Sequence, residues 1–266
     1  MPLIDTHAHV FSHQASFIAT ARYTPSYTAS PSDYLAQLDA HGFAHGVLVQ
    51  PSFLGTDNHY MLAAIARYPD RFKGIAVVDH HSTDLPALTR LAEQGVVGVR
   101  LNLFGIDYPD LTQPSWQRFL TYLADSGMQV ELHAPPAYLL RLLPALKPYP
   151  IDIVLDHFGR FDPILGVKDP DYQQLLTLLN PHQHWIKVSG YYRVEESGYQ
   201  HAITAFQQLQ QRGMEEHLLW GSDWPHTQHE HHVSFDKALA TFKLIVNDDA
   251  LVQKILTQNN AALFGF

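Results

Sequence analysis

The chain has 266 residues, 46% of them hydrophobic and 16% charged, so it can bury a large core and is not a disordered chain. Lys and Arg number 17 against 26 Asp and Glu, and the net charge of -9 argues against nucleic acid or an anionic membrane as a partner. Cysteine is absent, which excludes disulfides, thiolate metal ligands and a cysteine nucleophile. The first residues lead directly into a strand pattern, with no basic and apolar signal region, so we predict a cytoplasmic protein.

Short apolar runs rich in β-branched residues alternate along the chain with longer segments of helical periodicity. The helical segments have apolar residues three and four positions apart, and several of them end at Gly. The predicted strands cover residues 3–7, 46–50, 74–78, 98–101, 129–133, 151–156, 185–189 and 218–221. The predicted helices cover residues 32–42, 58–69, 84–95, 114–127, 136–147, 171–180, 199–213 and 234–246.

Eight uninterrupted strand–helix alternations predict an α/β fold, a (β/α)8 TIM barrel that forms a single domain over residues 1–266. A doubly wound open sheet is the alternative, but no Gly-rich phosphate turn follows the first strand. The segment 248–266 is predicted to form one or two closing helices packed on the barrel.

Polar side chains occur at the carboxyl end of nearly every predicted strand. In a TIM barrel these ends meet at one rim, where the βα loops build the active site. A single active site accounts for all of these residues together, whereas packing would have to account for each separately. The rim residues are His7, His9, Gln50, Asp79, Arg100, Asn102, His133, His157, Ser189 and Asp223.

The pair His7 and His9 is the most specific of these signals. Residues two apart on a strand point to the same face, so both imidazoles can reach one cation. A pair of buried, hydrogen-bonded histidines is the alternative interpretation. With His133, His157 and Asp223 the rim offers four imidazoles and one carboxylate, a ligand set suited to zinc.

The order of these rim residues resembles the amidohydrolase superfamily of metal-dependent TIM-barrel hydrolases. The resemblance spans essentially the whole chain, and it is closest to the branch of 2-pyrone-4,6-dicarboxylate lactonase and related lactone hydrolases. It implies a (β/α)8 barrel and hydrolysis of a lactone ring. The stretches that carry it are QPSFLGTDN, GVRLNLFG, ELHAPPAYL, LDHFGR, KVSGYYR and GSDWPHT.

The resemblance implies one divalent metal, zinc by its ligand set, held by His7, His9, His133 and Asp223. The pyrone lactonase of this branch carries tyrosine where His133 stands and is understood to work without metal, so metal independence is the alternative. Arg100 occupies the strand end where two-metal members carry a bridging lysine or glutamate. We therefore expect a mononuclear site.

The chemistry assigns roles to the remaining rim residues. Asp223 is expected to act as the general base, and His157 to stabilise the developing oxyanion if it is not a ligand. Arg100 and Arg193 present planar guanidinium groups for substrate carboxylates, with salt bridges to neighbouring acids as the alternative.

Four further residues are predicted to contact substrate: Gln50, Thr56, Asn102 and His226. Gln50 would orient the lactone. Thr56 lies in the stretch GTDN, whose alternative role is a turn and a helix cap. His226 follows Asp223 closely, whereas the histidines after it are expected in a solvated loop.

The sequence thus predicts a hydrolase that opens a small carboxylated lactone, of the pyrone dicarboxylate, sugar-acid or muconolactone kind. A decarboxylase of a small unsaturated acid is the enzymatic alternative, and a non-catalytic small-acid binding protein is the alternative outside enzymes. The expected partner is the small molecule alone, and a homo-oligomer is left open.

Overall fold

In a computed structural model that describes residues 1–195 and 197–266, eight strands alternate with eight principal helices. The strands are β1 (Leu3–Ala8), β2 (Phe43–Val49), β3 (Phe72–Ala76), β4 (Val96–Asn102), β5 (Gln129–His133), β6 (Ile153–Leu155), β7 (His184–Lys187) and β8 (Leu218–Leu219). The helices are α1 (Pro31–Ala40), α2 (His59–Arg67), α3 (Leu85–Glu93), α4 (Pro114–Ser126), α5 (Pro136–Leu146), α6 (Pro170–Leu178), α7 (Gln200–Gln211) and α8 (Phe235–Val246).

All strand pairs are parallel and follow the chain order from β1 to β8. The last strand returns to the first: the Thr6 amide donates to the Trp220 carbonyl at 3.1 Å, and the His9 amide donates to the Trp224 carbonyl at 2.7 Å. The predicted (β/α)8 barrel is therefore confirmed, with β8 lying beside β1.

Every predicted strand and helix is present, and the bounds differ by a few residues. In β8 only Leu218–Leu219 form a ladder instead of the predicted 218–221. Gly221 passes so close to the first strand that an added Cβ would lie 2.4 Å from the Cβ of His7. Only glycine can occupy this position without moving His7.

Alternate residues of the strands pack into two separate apolar clusters, because side chains in a strand point to opposite faces. The larger cluster lies between the strands and the surrounding helices. The smaller cluster lies inside the barrel and consists of Val47, Val49, Ile75, Val154, Trp185, Leu219 and Phe264.

The segment after α8 forms the predicted closing helices, α9 (Asp249–Lys254) and α10 (Asn260–Phe264), joined by a π-helical turn at Ile255–Asn259. Phe264 at the end of α10 joins the inner cluster, and Lys73 of β3 donates to the Phe264 carbonyl at 2.6 Å. This segment thus covers the amino-terminal end of the barrel. No helix in the described residues has both the length and the apolar character needed to cross a membrane.

Candidate active site

A cavity of about 650 Å³ opens at the carboxyl ends of the strands, a size typical of small-molecule sites. Most of the predicted site residues line it: His9, Arg100, Asn102, His133, His157, Arg193 and Asp223. His7 lies directly beneath it and is fully buried. The βα loops therefore bring residues from β1, β4, β5, β6, β7 and β8 to one place.

His7, His9 and Asp223 form the centre of the site. Oδ1 of Asp223 lies 3.5 Å from Nε2 of His9 and 3.9 Å from Nε2 of His7. The Asp223 amide donates to the His7 carbonyl at 2.8 Å, and Asp223 has a positive φ of 60°. Strained backbone of this kind persists where the surrounding contacts hold it, and here β1 holds the carboxylate over its histidines.

The other carboxylate oxygen of Asp223 is held by two donors. Oδ2 accepts from the hydroxyl of Tyr192 at 2.7 Å and from Nε of Arg193 at 2.5 Å. Burial alone would raise the pKa of Asp223, but the charge of Arg193 holds that pKa well below its usual range. Asp223 is therefore ionised at neutral pH, with Oδ1 directed at the histidines.

His133 and His157 complete the ring of imidazoles. His133 donates from Nδ1 to Oδ1 of Asn102 at 3.2 Å, and Nδ1 of His157 lies 2.9 Å from Oγ of Ser189. Burial lowers the pKa of His157 to about 3, and burial together with the charge of Arg100 lowers the pKa of His133 well below its usual range. Both rings are neutral at physiological pH.

The donor atoms at this centre suit a divalent cation. Nε2 of His7, Nε2 of His133 and Oδ1 of Asp223 are buried and have no hydrogen-bond partner in the part of the chain that the structure describes. His9 donates from Nδ1 to the Val49 carbonyl at 2.7 Å, which leaves its Nε2 with a lone pair. His7, His9 and Asp223 offer ligand atoms within 4.8 Å of one another. Of the four predicted ligands, His133 stands outside that group.

Both predicted carboxylate-binding arginines are paired with acids, which was the alternative role. Arg100 donates to Oδ2 of Asp156 from Nε at 2.9 Å and from Nη2 at 2.7 Å, and Arg193 pairs with Asp223. Carboxylates lie at the strand ends as well as arginines, so each of these guanidinium groups has an acidic neighbour. Both arginines still line the cavity, and Asp156 leaves Nη1 of Arg100 unused.

Two further arginines that the sequence patterns did not single out line the same cavity. Arg22 comes from the β1–α1 loop and Arg160 follows β6. Their guanidinium carbons lie 5.9 and 4.6 Å from the centre of the Phe104 ring. Neither forms an ion pair within residues 1–195 and 197–266, so the mouth of the cavity is locally cationic despite the overall charge of -9.

Three predicted substrate contacts do not line the cavity. Gln50 donates to the Gly55 and Asp57 carbonyls at 3.3 and 2.7 Å and so holds the β2–α2 loop. Thr56 lies in that loop with its residue exposed to solvent. His226 is buried, with Nδ1 3.1 Å from the Tyr192 hydroxyl. It supports a residue of the site instead of facing substrate.

The sequence patterns singled out Arg100 but missed the other members of a charged layer beneath the histidines. Arg100, Glu131, Asp156 and Lys187 are all at most 4% exposed, and Nζ of Lys187 lies 2.5 Å from Oε1 of Glu131. Glu131 and Lys187 each stand two residues before a rim residue, His133 and Ser189. Strand alternation could have placed them on the inner face.

Comparison with known proteins places this geometry in a family. The amidohydrolase family model matches residues 4–266. The chain belongs to the amidohydrolase family. Its full-length match agrees with the resemblance drawn from the rim residues.

Several curated relatives of this chain are lactone hydrolases. A 4-sulfomuconolactone hydrolase from Rhizobium radiobacter is 31% identical, over 98% of this chain and 89% of that protein. A 2-pyrone-4,6-dicarboxylate hydrolase from Comamonas testosteroni is 30% identical over the same shares. A crystal structure from Acinetobacter baumannii, described as a "probable 2-pyrone-4,6-dicarboxylic acid hydrolase" with citric acid bound, is 54% identical, has a TM-score of 0.98 and is covered over 100% of both chains.

Proposed function

We propose that this amidohydrolase opens the ring of a small carboxylated lactone by hydrolysis. The observation that carries the proposal is the Asp223 carboxylate, which is ionised and held at Oδ2 by Arg193 and Tyr192. Its Oδ1 lies beside the histidines and has no hydrogen-bond partner among the described residues. The relatives named as lactone hydrolases support the reaction class.

The reaction needs a nucleophilic water, a polarised carbonyl and a proton for the departing oxygen. Oδ1 of Asp223 accepts the water proton as the water oxygen bonds to the carbonyl carbon. The ring C–O bond then breaks, and Asp223 returns the proton to the leaving alkoxide. His157 faces the same cavity and stabilises the oxyanion as a neutral donor.

The arginines around the cavity select an acidic substrate. Nη1 of Arg100 and the guanidinium groups of Arg22 and Arg160 offer donors to a carboxylate. Because the whole chain is anionic, this local charge and not general steering must attract the substrate. Citric acid in the Acinetobacter baumannii structure supports recognition of a carboxylated compound.

We further propose that His7, His9, His133 and Asp223 would hold one divalent ion, with zinc favoured by imidazole and carboxylate ligands. When bound, such an ion lowers the pKa of water towards about 7 and polarises a carbonyl. Elemental analysis of purified protein tests this part. Full activity after exhaustive chelation, with no metal detected, would contradict it and leave hydrolysis by Asp223 alone.

A panel of lactones assayed by acid release tests the reaction. We expect ring opening of carboxylated lactones and little activity on neutral lactones of the same ring size. The decarboxylase alternative predicts loss of carbon dioxide from a small unsaturated acid, which mass balance distinguishes from ring opening. Tight binding of small acids without turnover of any compound would support a binding protein instead.

A further inference from the structure

Lys187 is a fully buried cation directly beneath the candidate metal ligands, and it takes no part in the proposed chemistry. Its Nζ lies 2.5 Å from Oε1 of Glu131, which is the partner that a buried charge requires. The same Nζ also lies 3.0 Å from Nδ1 of His7 and 3.7 Å from Oδ1 of Asp156. Lys187 therefore contacts Nδ1 of His7, while Nε2 of the same ring faces Asp223.

The contact between Lys187 and His7 fixes where the imidazole carries its proton. An ammonium group has three donors and no acceptor, so Nδ1 of His7 must accept in this contact. A ring nitrogen that accepts a hydrogen bond is bare, so the proton of the His7 ring cannot lie on Nδ1. That proton then lies on Nε2, the atom that faces Oδ1 of Asp223 at 3.9 Å.

A metal ion bound at Nε2 would require the opposite tautomer of His7. A ligating histidine binds through a bare nitrogen and donates its other N–H to a carbonyl or carboxylate. His9 and His133 already have this form, with Nδ1 donating to the Val49 carbonyl and to Asn102. The matching acceptor for His7 is Oδ1 of Asp156, which is buried, has no hydrogen-bond partner among the described residues and lies 3.4 Å from Nδ1.

We infer that Lys187 is a positioning residue that holds His7 as the Nε2–H tautomer and thereby weakens the affinity of the site for a divalent ion. Binding of an ion requires His7 to exchange its partner at Nδ1, from the Lys187 ammonium to the Asp156 carboxylate. The inference rests on the ligand set proposed for the metal and not on the identity of the lactone.

The tautomer can be read in the unmodified chain. In metal-free protein with ¹⁵N-labelled histidine, long-range ¹H–¹⁵N spectra distinguish a protonated from a bare ring nitrogen. The His7→Gln spectrum identifies the His7 signals by their loss. We expect a protonated Nε2 and a bare Nδ1. The reverse pattern would overturn the inference, whatever the variants do.

Calorimetric titration of metal-free protein with zinc measures the consequence. Removing Lys187 alone would leave Glu131 as an uncompensated buried charge, so the test variant is Lys187→Met with Glu131→Gln. We expect zinc to bind this variant roughly 10–100-fold more tightly than the unmodified chain, the range typical of changes behind a metal ligand. Glu131→Gln alone keeps Lys187 near His7, with Asp156 3.7 Å away as its remaining acid, and should bind zinc less tightly than the double variant.

Equal or weaker zinc binding by the folded double variant would contradict the inference, with folding checked by its circular dichroism melt. The lactone assay is run on the same preparations. A protein that opens no lactone but has His7 protonated at Nε2 would contradict the proposed function and leave the role of Lys187 intact.

Discussion

At the amino-terminal end of the barrel, aliphatic and aromatic side chains fill the interior, whereas two residues beyond Val154 and Trp185 the interior is ionic, at Asp156 and Lys187. Ile75 and Phe264 belong to the apolar end, and Glu131, Lys187 and Asp156 to the charged end. The charged end has two basic and two acidic groups when Arg100 is included, and burial raises the pKa of Glu131 to about 7. The apolar end of the barrel interior thus stabilises the fold. The charged end is costly to bury and lies beneath the site.

The two ends should respond differently to substitution. Changes at the charged end are expected to alter catalysis or to leave uncompensated charges, and changes at the apolar end to alter stability alone.

Asp223→Asn should have the largest effect at the charged end. It preserves size and the contacts at Oδ2 but removes the proton acceptor. We expect kcat to fall by roughly 10²–10⁴-fold, the range for a lost general base. Steady-state kinetics on the preferred lactone measure it, and Tyr192→Phe, which removes one donor to Asp223, should lose much less. Near-normal turnover by Asp223→Asn would direct the search for a base to His157.

Arg100→Met should affect both stability and substrate binding. It leaves Asp156 buried without its bidentate partner, and breaking such a pair costs about 3–5 kcal/mol. The free energy of unfolding from denaturant titration measures this loss, and Asp156→Asn in the same chain should restore much of it. We also expect KM to rise for a carboxylated lactone and to change little for a neutral one. Equal rises on both substrates would assign Arg100 to structure alone.

Ile75→Ala tests the apolar end. Ile75 is fully buried in the inner cluster, so truncation should reduce the free energy of unfolding by about 2–5 kcal/mol. Ile75→Val removes one methylene and should cost about 0.5–1.5 kcal/mol. Both variants should keep the kcat of the unmodified chain below their melting transitions. A large fall in kcat with little loss of stability would remove the distinction between the two ends.

His184, at the start of β7, gives the apolar end a pH dependence. Burial lowers its pKa from 6.5 to about 4, and the Asn180 amide donates to its Nδ1 at 3.1 Å. Below pH 6.5 the unfolded chain binds a proton that the folded chain does not, so stability falls as the pH falls towards 4. At pH 5 this loss is about 2 kcal/mol. His184→Gln should reduce the loss measured between pH 7 and pH 5, whereas His182→Gln, at an exposed neighbour, should not.

The sequence was sufficient to predict which side chains meet at the rim, because strand ends and residue alternation are local properties. His7, His9, His133 and Asp223 could be placed in this way. Partner choice could not be predicted, because the pairing of Arg100 with Asp156 joins β4 to the end of β6 and depends on the radius of the barrel. The hydrogen bonds of Gln50 could not be predicted for a related reason, since they depend on the folded loop that it precedes.

The ring of strands closes between β8 and β1, where the side chains of Thr6, Ser222 and Asn260 hydrogen-bond across the junction. Asn260 of α10 donates from Nδ2 to the Ile4 carbonyl at 2.7 Å and to the Trp220 carbonyl at 3.3 Å. The first of these bonds joins residues 256 positions apart. Contacts of such long range form late in folding, because the chain between them must first be ordered. Closure of the barrel therefore depends on contacts between the two ends of the chain, which carry a high loop-closure cost.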